Sequence, residues 1–213
     1  MLVIFDLDGT LLNTLDDLSA AANHALTVCG FPAHSVEECC QFVGNGVSKL
    51  LERALPDGQR TSENLARMKA SFFAYYDKHL TDFTRPYPGI LETLAALQTR
   101  GIKLAVASNK YQAATSKLIM HFFPRVTFAA VLGQQEGLPV KPNPHMVEHI
   151  LRATEESAPR TLYVGDSDVD MQTAQNAGVK ACGVTWGFRS REVLAAYHPA
   201  YLIDNPKELL EIL

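Results

Sequence analysis

The sequence has little of what would place a chain outside ordinary globular chemistry. Only four cysteines, Cys29, Cys39, Cys40 and Cys182, occur in 213 residues, and no two stand at Cys-x-x-Cys spacing. That argues against a disulfide framework or a cysteine-based zinc site, and marks the thiols as reduced packing residues. There is no basic excess: 19 Lys and Arg face 23 Asp and Glu, for a net charge of −4. Nucleic-acid binding rests on neutralising phosphates, so no nucleic-acid partner is expected. Long apolar runs are missing too. The longest stretch without Asp, Glu, Lys or Arg, Leu18 to Val36, contains Asn23, His24, Gly30, Pro32 and His34, which a bilayer span would not carry. Met1 to Phe5 carry no basic leader before Asp6, so a cytoplasmic protein with no membrane partner is expected. What is present, 47% hydrophobic and 20% charged residues, suffices for one sizeable core with a smaller companion.

Hydrophobic patterning divides the chain. Leu2 to Phe5 is a continuous apolar run, the pattern of a strand buried on both faces of a parallel sheet. From Leu15 to Asp82 no comparable run follows. Instead Leu15, Leu18, Ala22, Ala25 and Leu26 repeat at helical spacing, then Val47, Leu50, Leu51 and Ala54, then Leu65, Met68, Phe72, Phe73, Tyr76 and Leu80. After Pro86-Tyr87-Pro88-Gly89, β-like runs alternate with helical ones: Lys103–Ala107, Val126–Leu132, Thr161–Val164, Val179–Val184 and Tyr201–Ile203. This predicts a Rossmann-like, doubly wound α/β core with a mostly parallel sheet, formed by residues 1–12 and 85–213, and an inserted all-helical cap at 13–84. Ligands of open α/β sheets bind beyond the carboxyl ends of the strands, so the insertion is expected over that mouth.

The strand ends carry the chemistry. Asp6-Leu7-Asp8-Gly9-Thr10 offers two carboxylates two residues apart, either a nucleophile with an acid/base or a simple Asp-Gly hairpin turn. Ser108-Asn109-Lys110 offers a hydroxyl and an amide to phosphate oxygens, or else caps a helix. Lys141 stands before Pro142-Asn143-Pro144, and Gly165-Asp166-Ser167-Asp168-Val169-Asp170 puts three acids within five residues. Such acids repel one another unless a cation screens them, and oxygen-rich sites of this kind suit Mg²⁺ completed by a substrate phosphate. With Mg²⁺ and Lys141 neutralising the phosphoryl oxygens, Asp6 could attack in line.

With these four motifs in order over essentially its whole length, the chain closely resembles the haloacid dehalogenase-like superfamily. The resemblance implies that Asp6 is the nucleophile forming an aspartyl-phosphate, and Asp8 the acid that protonates the leaving oxygen and then the base that activates water. It implies that Ser108 binds phosphate and that Lys141 steadies nucleophile and phosphate. Mg²⁺ would be held by Asp166, the Asp6 carboxylate and the Asp8 backbone carbonyl, with Asp170 positioning metal-bound water; Asp168 is expected to face solvent. Gly9, Thr10 and Asn109 complete the expected substrate-binding set of the core. Within the superfamily the chain is most similar to the phosphoglycolate phosphatase group, through Val43-Gly44-Asn45-Gly46 with Leu50, Arg53, Ala54 and Leu55, through Pro86-Tyr87-Pro88-Gly89, and through Gly183-Val184-Thr185-Trp186-Gly187. Gly44, Asn45 and Gly46 could offer N–H groups to a substrate carboxylate, with Arg53 as counter-ion, or form a plain helix-helix turn.

The resemblance therefore implies a Mg²⁺-dependent phosphomonoesterase acting on 2-phosphoglycolate, a small phosphorylated metabolite; a monomer or weak homodimer is expected. Leu18 stands where the superfamily's mutases present a cap histidine, and Thr14 to Gln41 contains no lysine for a phosphonatase Schiff base. Pyrophosphate hydrolysis, or action on a sugar phosphate, stays open. So do two readings without hydrolysis, an aspartate-phosphorylated signalling domain and a binding module. His145 and His149, four residues apart, read as a solvated helix face rather than a metal site.

Overall fold

The computed structural model describes residues 1–213, which fall into two compact units: Met1–Asn13 with Pro86–Leu213, and Thr14–Arg85. The first unit is built on a six-stranded sheet. From one edge to the other its strands are Ala130–Gln134, Lys103–Tyr111, Leu2–Phe5, Thr161–Gly165, Lys180–Val184 and Tyr201–Ile203, every neighbouring pair parallel. This is the α/β architecture that the alternating runs predict. The chain's first strand lies at the centre because its run of apolar residues can be buried from both sides: Leu2, Val3, Ile4 and Phe5 are all wholly inaccessible. Alternation sends Leu2 and Ile4 to one face, where Met146, Val147 and Ile150 of the helix His145–Thr154 and Met171 and Ala174 of the helix Asp168–Asn176 close the core.

Two strands depart from expectation by more than one residue. The strand from Lys103 runs on to Tyr111, because the polar side chains of Ser108, Asn109 and Lys110 are buried and bonded rather than solvated. That also answers the capping alternative: the next helix starts only at Gln112. At the sheet edge the strand starts at Ala130 rather than Val126, whose N–H is turned back onto the Phe123 carbonyl.

The second unit is all helical, with helices Leu15–Cys29, Val36–Phe42, Gly46–Ala54 and Ser62–His79. The helix Val36–Phe42 has no period long enough to read in the sequence; a capping box between Ser35 and Glu38 starts it. Leu18, Ala22, Ala25, Leu26, Leu50, Leu51, Met68, Phe72 and Tyr76 form the interior. Asp17 closes the unit: its buried carboxylate accepts from Phe83 N, Thr84 N and Thr84 Oγ1, tying the outgoing chain to the first helix. No helix of the protein is long and apolar enough to cross a membrane.

Candidate active site

All the acidic motifs of the first unit meet at the carboxyl ends of its central strands. Asp6 directly follows the strand Leu2–Phe5, its N–H bonded to the Val164 carbonyl of the neighbouring strand at 2.9 Å. Its Oδ1 accepts from Leu7 N at 2.7 Å and faces Lys141 Nζ at 2.9 Å, so one oxygen is fixed and the other is left free of donors. Lys141 is buried and donates also to Asp170 Oδ1 at 2.7 Å and to the Tyr163 hydroxyl at 3.0 Å. Its three N–H bonds are thus all directed. Asp170 takes two further bonds on Oδ2, from Ser167 N and Ser167 Oγ, as the capping box of its helix. Asp166 Oδ1 accepts from Thr10 Oγ1 at 3.0 Å, and Oδ2 from Phe188 N at 2.7 Å.

The turn after Asp6 is tight, with the N–H groups of Thr10, Leu11 and Leu12 all directed at the Leu7 carbonyl. Gly9 has φ +84°, and a Cβ there would lie 2.2 Å from Asp166 Oδ2. Only glycine meets both demands. The turn leads out of the sheet and not into a hairpin partner. Asp8 lies to one side, its Oδ2 accepting from Lys110 Nζ at 2.9 Å. Ser108 is buried, and its hydroxyl oxygen accepts from Lys110 N. Asn109, expected to bind substrate, is engaged by protein: its amide donates to the Lys141 carbonyl and accepts from Lys141 N, at 3.0 and 2.8 Å. It holds the lysine's backbone in place. Thr10 likewise directs its hydroxyl at Asp166 rather than outward.

Burial and mutual repulsion dominate the electrostatics. Burial first, then the charge of Asp170, pushes Asp6 up to about 7 against the pull of Lys141. Asp166 is raised well above the usual carboxylate range by burial, then by Asp170 and Asp6. Burial opposes the charge of Lys141, but Asp170 and Asp6 outweigh it and hold the ammonium well above its ordinary value. One oxygen from each of Asp6, Asp166 and Asp170 lies within 4.8 Å of the others. When all are ionised, three carboxylates against one ammonium leave two negative charges, a state that burial and repulsion oppose and a cation would favour, and all the donors are hard oxygens. The set therefore fits a divalent cation. The Asp8 carboxylate stands outside this group, on Lys110.

The remaining predicted residues are engaged within their own units. In the second unit Gly44 and Gly46 take φ of +125° and +80° and form the turn between two helices. Arg53 donates to the Phe42 carbonyl and to Asn45 Oδ1, at 2.9 and 2.8 Å, so its guanidinium stitches that turn. His145 and His149 share a helix and line a small cavity with Leu132 and Met146, and belong to no three-ligand group. Asp168 is half exposed and faces Arg189 at 3.7 Å. Sequence reasoning missed the roles of Lys110, Tyr163 and Ser167. Lys110 could have been found from its i, i+2 relation to Ser108, which puts both on one face of a strand. Tyr163, inside an apolar run, signals a buried hydroxyl in need of a partner.

Comparison with known proteins agrees with this geometry. The profile of the haloacid dehalogenase-like hydrolase family matches residues 3–184. A curated phosphoglycolate phosphatase of Vibrio parahaemolyticus is 33% identical over 99% of this chain and 95% of its own length. Another, of Mesorhizobium japonicum, is 34% identical over 96% of this chain and 90% of its own. Among solved structures, a predicted phosphoglycolate phosphatase of Haemophilus somnus superposes with a TM-score of 0.92 at 31% identity, covering 99% of this chain and 96% of that one. With the paired aspartates, the buried lysine and the acidic cluster converging in one fold, the chain belongs to the haloacid dehalogenase-like hydrolase family.

Proposed function

We propose that the protein hydrolyses 2-phosphoglycolate to glycolate and phosphate in a Mg²⁺-dependent reaction through an aspartyl-phosphate on Asp6. It is a phosphoric monoester hydrolase by its kinship to curated phosphatases along nearly its whole length. The observation that carries the chemistry is the convergence of Asp6, Asp166 and Asp170 around Lys141. The substrate is inferred from the names of the relatives.

Bound Mg²⁺, held by Asp6, Asp166, the Asp8 backbone carbonyl and, through water, Asp170, would neutralise phosphoryl oxygens and relieve repulsion among the acids. The protein's own groups account for the rest. Lys141 and Leu7 N fix Asp6 by Oδ1, and Lys141 favours its ionised form. An Asp6 oxygen forms a bond to phosphorus as the ester P–O bond breaks, and Asp8 gives its proton to the departing glycolate oxygen. Asp8 then takes a proton from the water that attacks phosphorus, and the Asp6–phosphate bond breaks to release phosphate. Lys110 holds Asp8 from one oxygen during both transfers. Ser108 is assigned to the phosphoryl oxygens.

Steady-state kcat/KM for 2-phosphoglycolate, pyrophosphate, β-glucose 1-phosphate and other sugar phosphates, each with Mg²⁺ and with chelator, tests the proposal. Preference for phosphoglycolate, abolished by chelator, is expected. Preference for pyrophosphate or a sugar phosphate would overturn the substrate and leave the chemistry; turnover unaffected by chelator would overturn the metal.

A further inference from the structure

Three consecutive residues after the strand Lys180–Val184 converge on a single carboxylate. Trp186 Nε1 donates to the Thr10 carbonyl at 3.0 Å, and the Thr10 hydroxyl donates to Asp166 Oδ1 at 3.0 Å. Gly187 packs its backbone directly on that aspartate: a Cβ there would lie 2.2 Å from Asp166 Cβ and 2.4 Å from the Gly9 carbonyl oxygen. Phe188 N donates to Asp166 Oδ2 at 2.7 Å. The start of this segment is anchored by Thr185, whose N–H meets the Ile203 carbonyl at 3.1 Å and whose hydroxyl meets Asp204.

Each oxygen of Asp166 thus has one neutral donor and retains lone-pair capacity. The two donors approach from different segments, so rotation of the carboxylate breaks one bond or both. Neutral donors also orient a ligand without cancelling its charge, as a cation partner would.

We propose that Trp186 is a positioning residue for the divalent cation: by bonding the Thr10 carbonyl it sets the height of the turn whose hydroxyl orients Asp166. The proposal rests on the reading of Asp166 as a metal ligand. It assigns a function to the indole N–H as distinct from the ring. If Trp186 served only to fill space, phenylalanine would serve nearly as well; if the N–H matters, phenylalanine leaves the buried Thr10 carbonyl without this donor and frees the turn. Outer hydrogen-bond partners of metal ligands typically matter by about 10–100-fold in metal affinity.

The test is binding of Mn²⁺ to the full-length, metal-stripped protein, followed by the electron paramagnetic resonance of free Mn²⁺, with Mg²⁺ as competitor. Trp186→Phe is expected to weaken Mn²⁺ binding about 10–100-fold while melting in chelator close to the wild type. Thr10→Val should do the same and Thr10→Ser should not. The double variant Trp186→Phe with Thr10→Val should bind no more weakly than Thr10→Val alone, because both changes act on one chain of bonds. Wild-type affinity in Trp186→Phe, or additive losses in the double variant, would overturn the proposal while leaving the cation site intact. If Trp186→Phe fails to fold, the Thr10 pair decides: wild-type affinity in Thr10→Val overturns it. Absence of Mn²⁺ binding by the wild type, or undiminished binding by Asp166→Asn, would instead refute the site itself, and the proposal with it.

Discussion

Replacing Lys141 by methionine isolates the charge that the acidic mouth depends on. Methionine is a flexible, unbranched side chain able to fill much of the lysine's space, so the main change is loss of an ammonium with partners at 2.9 Å on Asp6, 2.7 Å on Asp170 and 3.0 Å on Tyr163. Asp170 is wholly buried and cannot turn to water. Removing one partner of a buried ion pair typically costs about 3–5 kcal/mol. In a chain of this length each kcal/mol moves the melting temperature by roughly 2–4 °C, so a fall of roughly 6–20 °C is expected in chelator at pH 8. The sign of the pH dependence follows from Asp6. Its native pKa is raised above the unfolded value, to about 7 even with the lysine present. The native state therefore holds more protons than the unfolded one, and stability is lost as pH rises from ~4 towards 7. Without Lys141 that loss deepens, so the variant's deficit should be smaller at pH 5 than at pH 8. Saturating Mg²⁺ should restore part of it. Melting curves at both pH values, with chelator and with Mg²⁺, are the assay. A variant melting within a degree or two of the wild type at pH 8 in chelator would refute the electrostatic account.

Burial pushes the Cys182 thiol up to about 12, so in the native protein it should resist thiol reagents at pH 8 and react only on unfolding, with stability falling as pH rises from about 9 towards 12; rapid native labelling of Cys182, mapped by peptide mass, would contradict this. Asp17→Asn should destabilise the helical unit by on the order of 2–3 kcal/mol, since a charged acceptor of three bonds is lost, and should speed hydrogen exchange at Phe83 and Thr84; unchanged exchange there would count against it. Gly187→Ala places a Cβ inside Asp166 and should raise the Mg²⁺ concentration for half-maximal activity by about tenfold or more, read from activation curves.

The fold was largely legible because its signals are periodic. Leu2–Phe5 and Tyr201–Ile203 carry their strand character in composition alone, and the long helix Ser62–His79 shows its period over five turns. Pattern alone ends the strand at Ala107, because Ser108, Asn109 and Lys110 are polar; their burial is compensated by partners far away in sequence, Lys141 and Asp8, which no local window contains. The same reason limits the site. The acids could be picked out by type and spacing, but that Asn109 holds the Lys141 backbone, that Thr10 orients Asp166 and that Lys110 pairs with Asp8 are facts of tertiary register. Charge alone makes Arg53 a counter-ion candidate; that its guanidinium donates to the Phe42 carbonyl and Asn45 is visible only in the folded chain.

Rapid acid quench of the enzyme during turnover of phosphate-labelled substrate, followed by peptide mapping, tests directly for the aspartyl-phosphate. A phosphoryl group is expected at Asp6, in the tryptic peptide Met1–Lys49, formed within the first turnover, absent in Asp6→Asn and lost on hydroxylamine treatment, as an acyl phosphate must be. Turnover at the full wild-type rate by Asp6→Asn, or label settled on a residue other than Asp6, would contradict it.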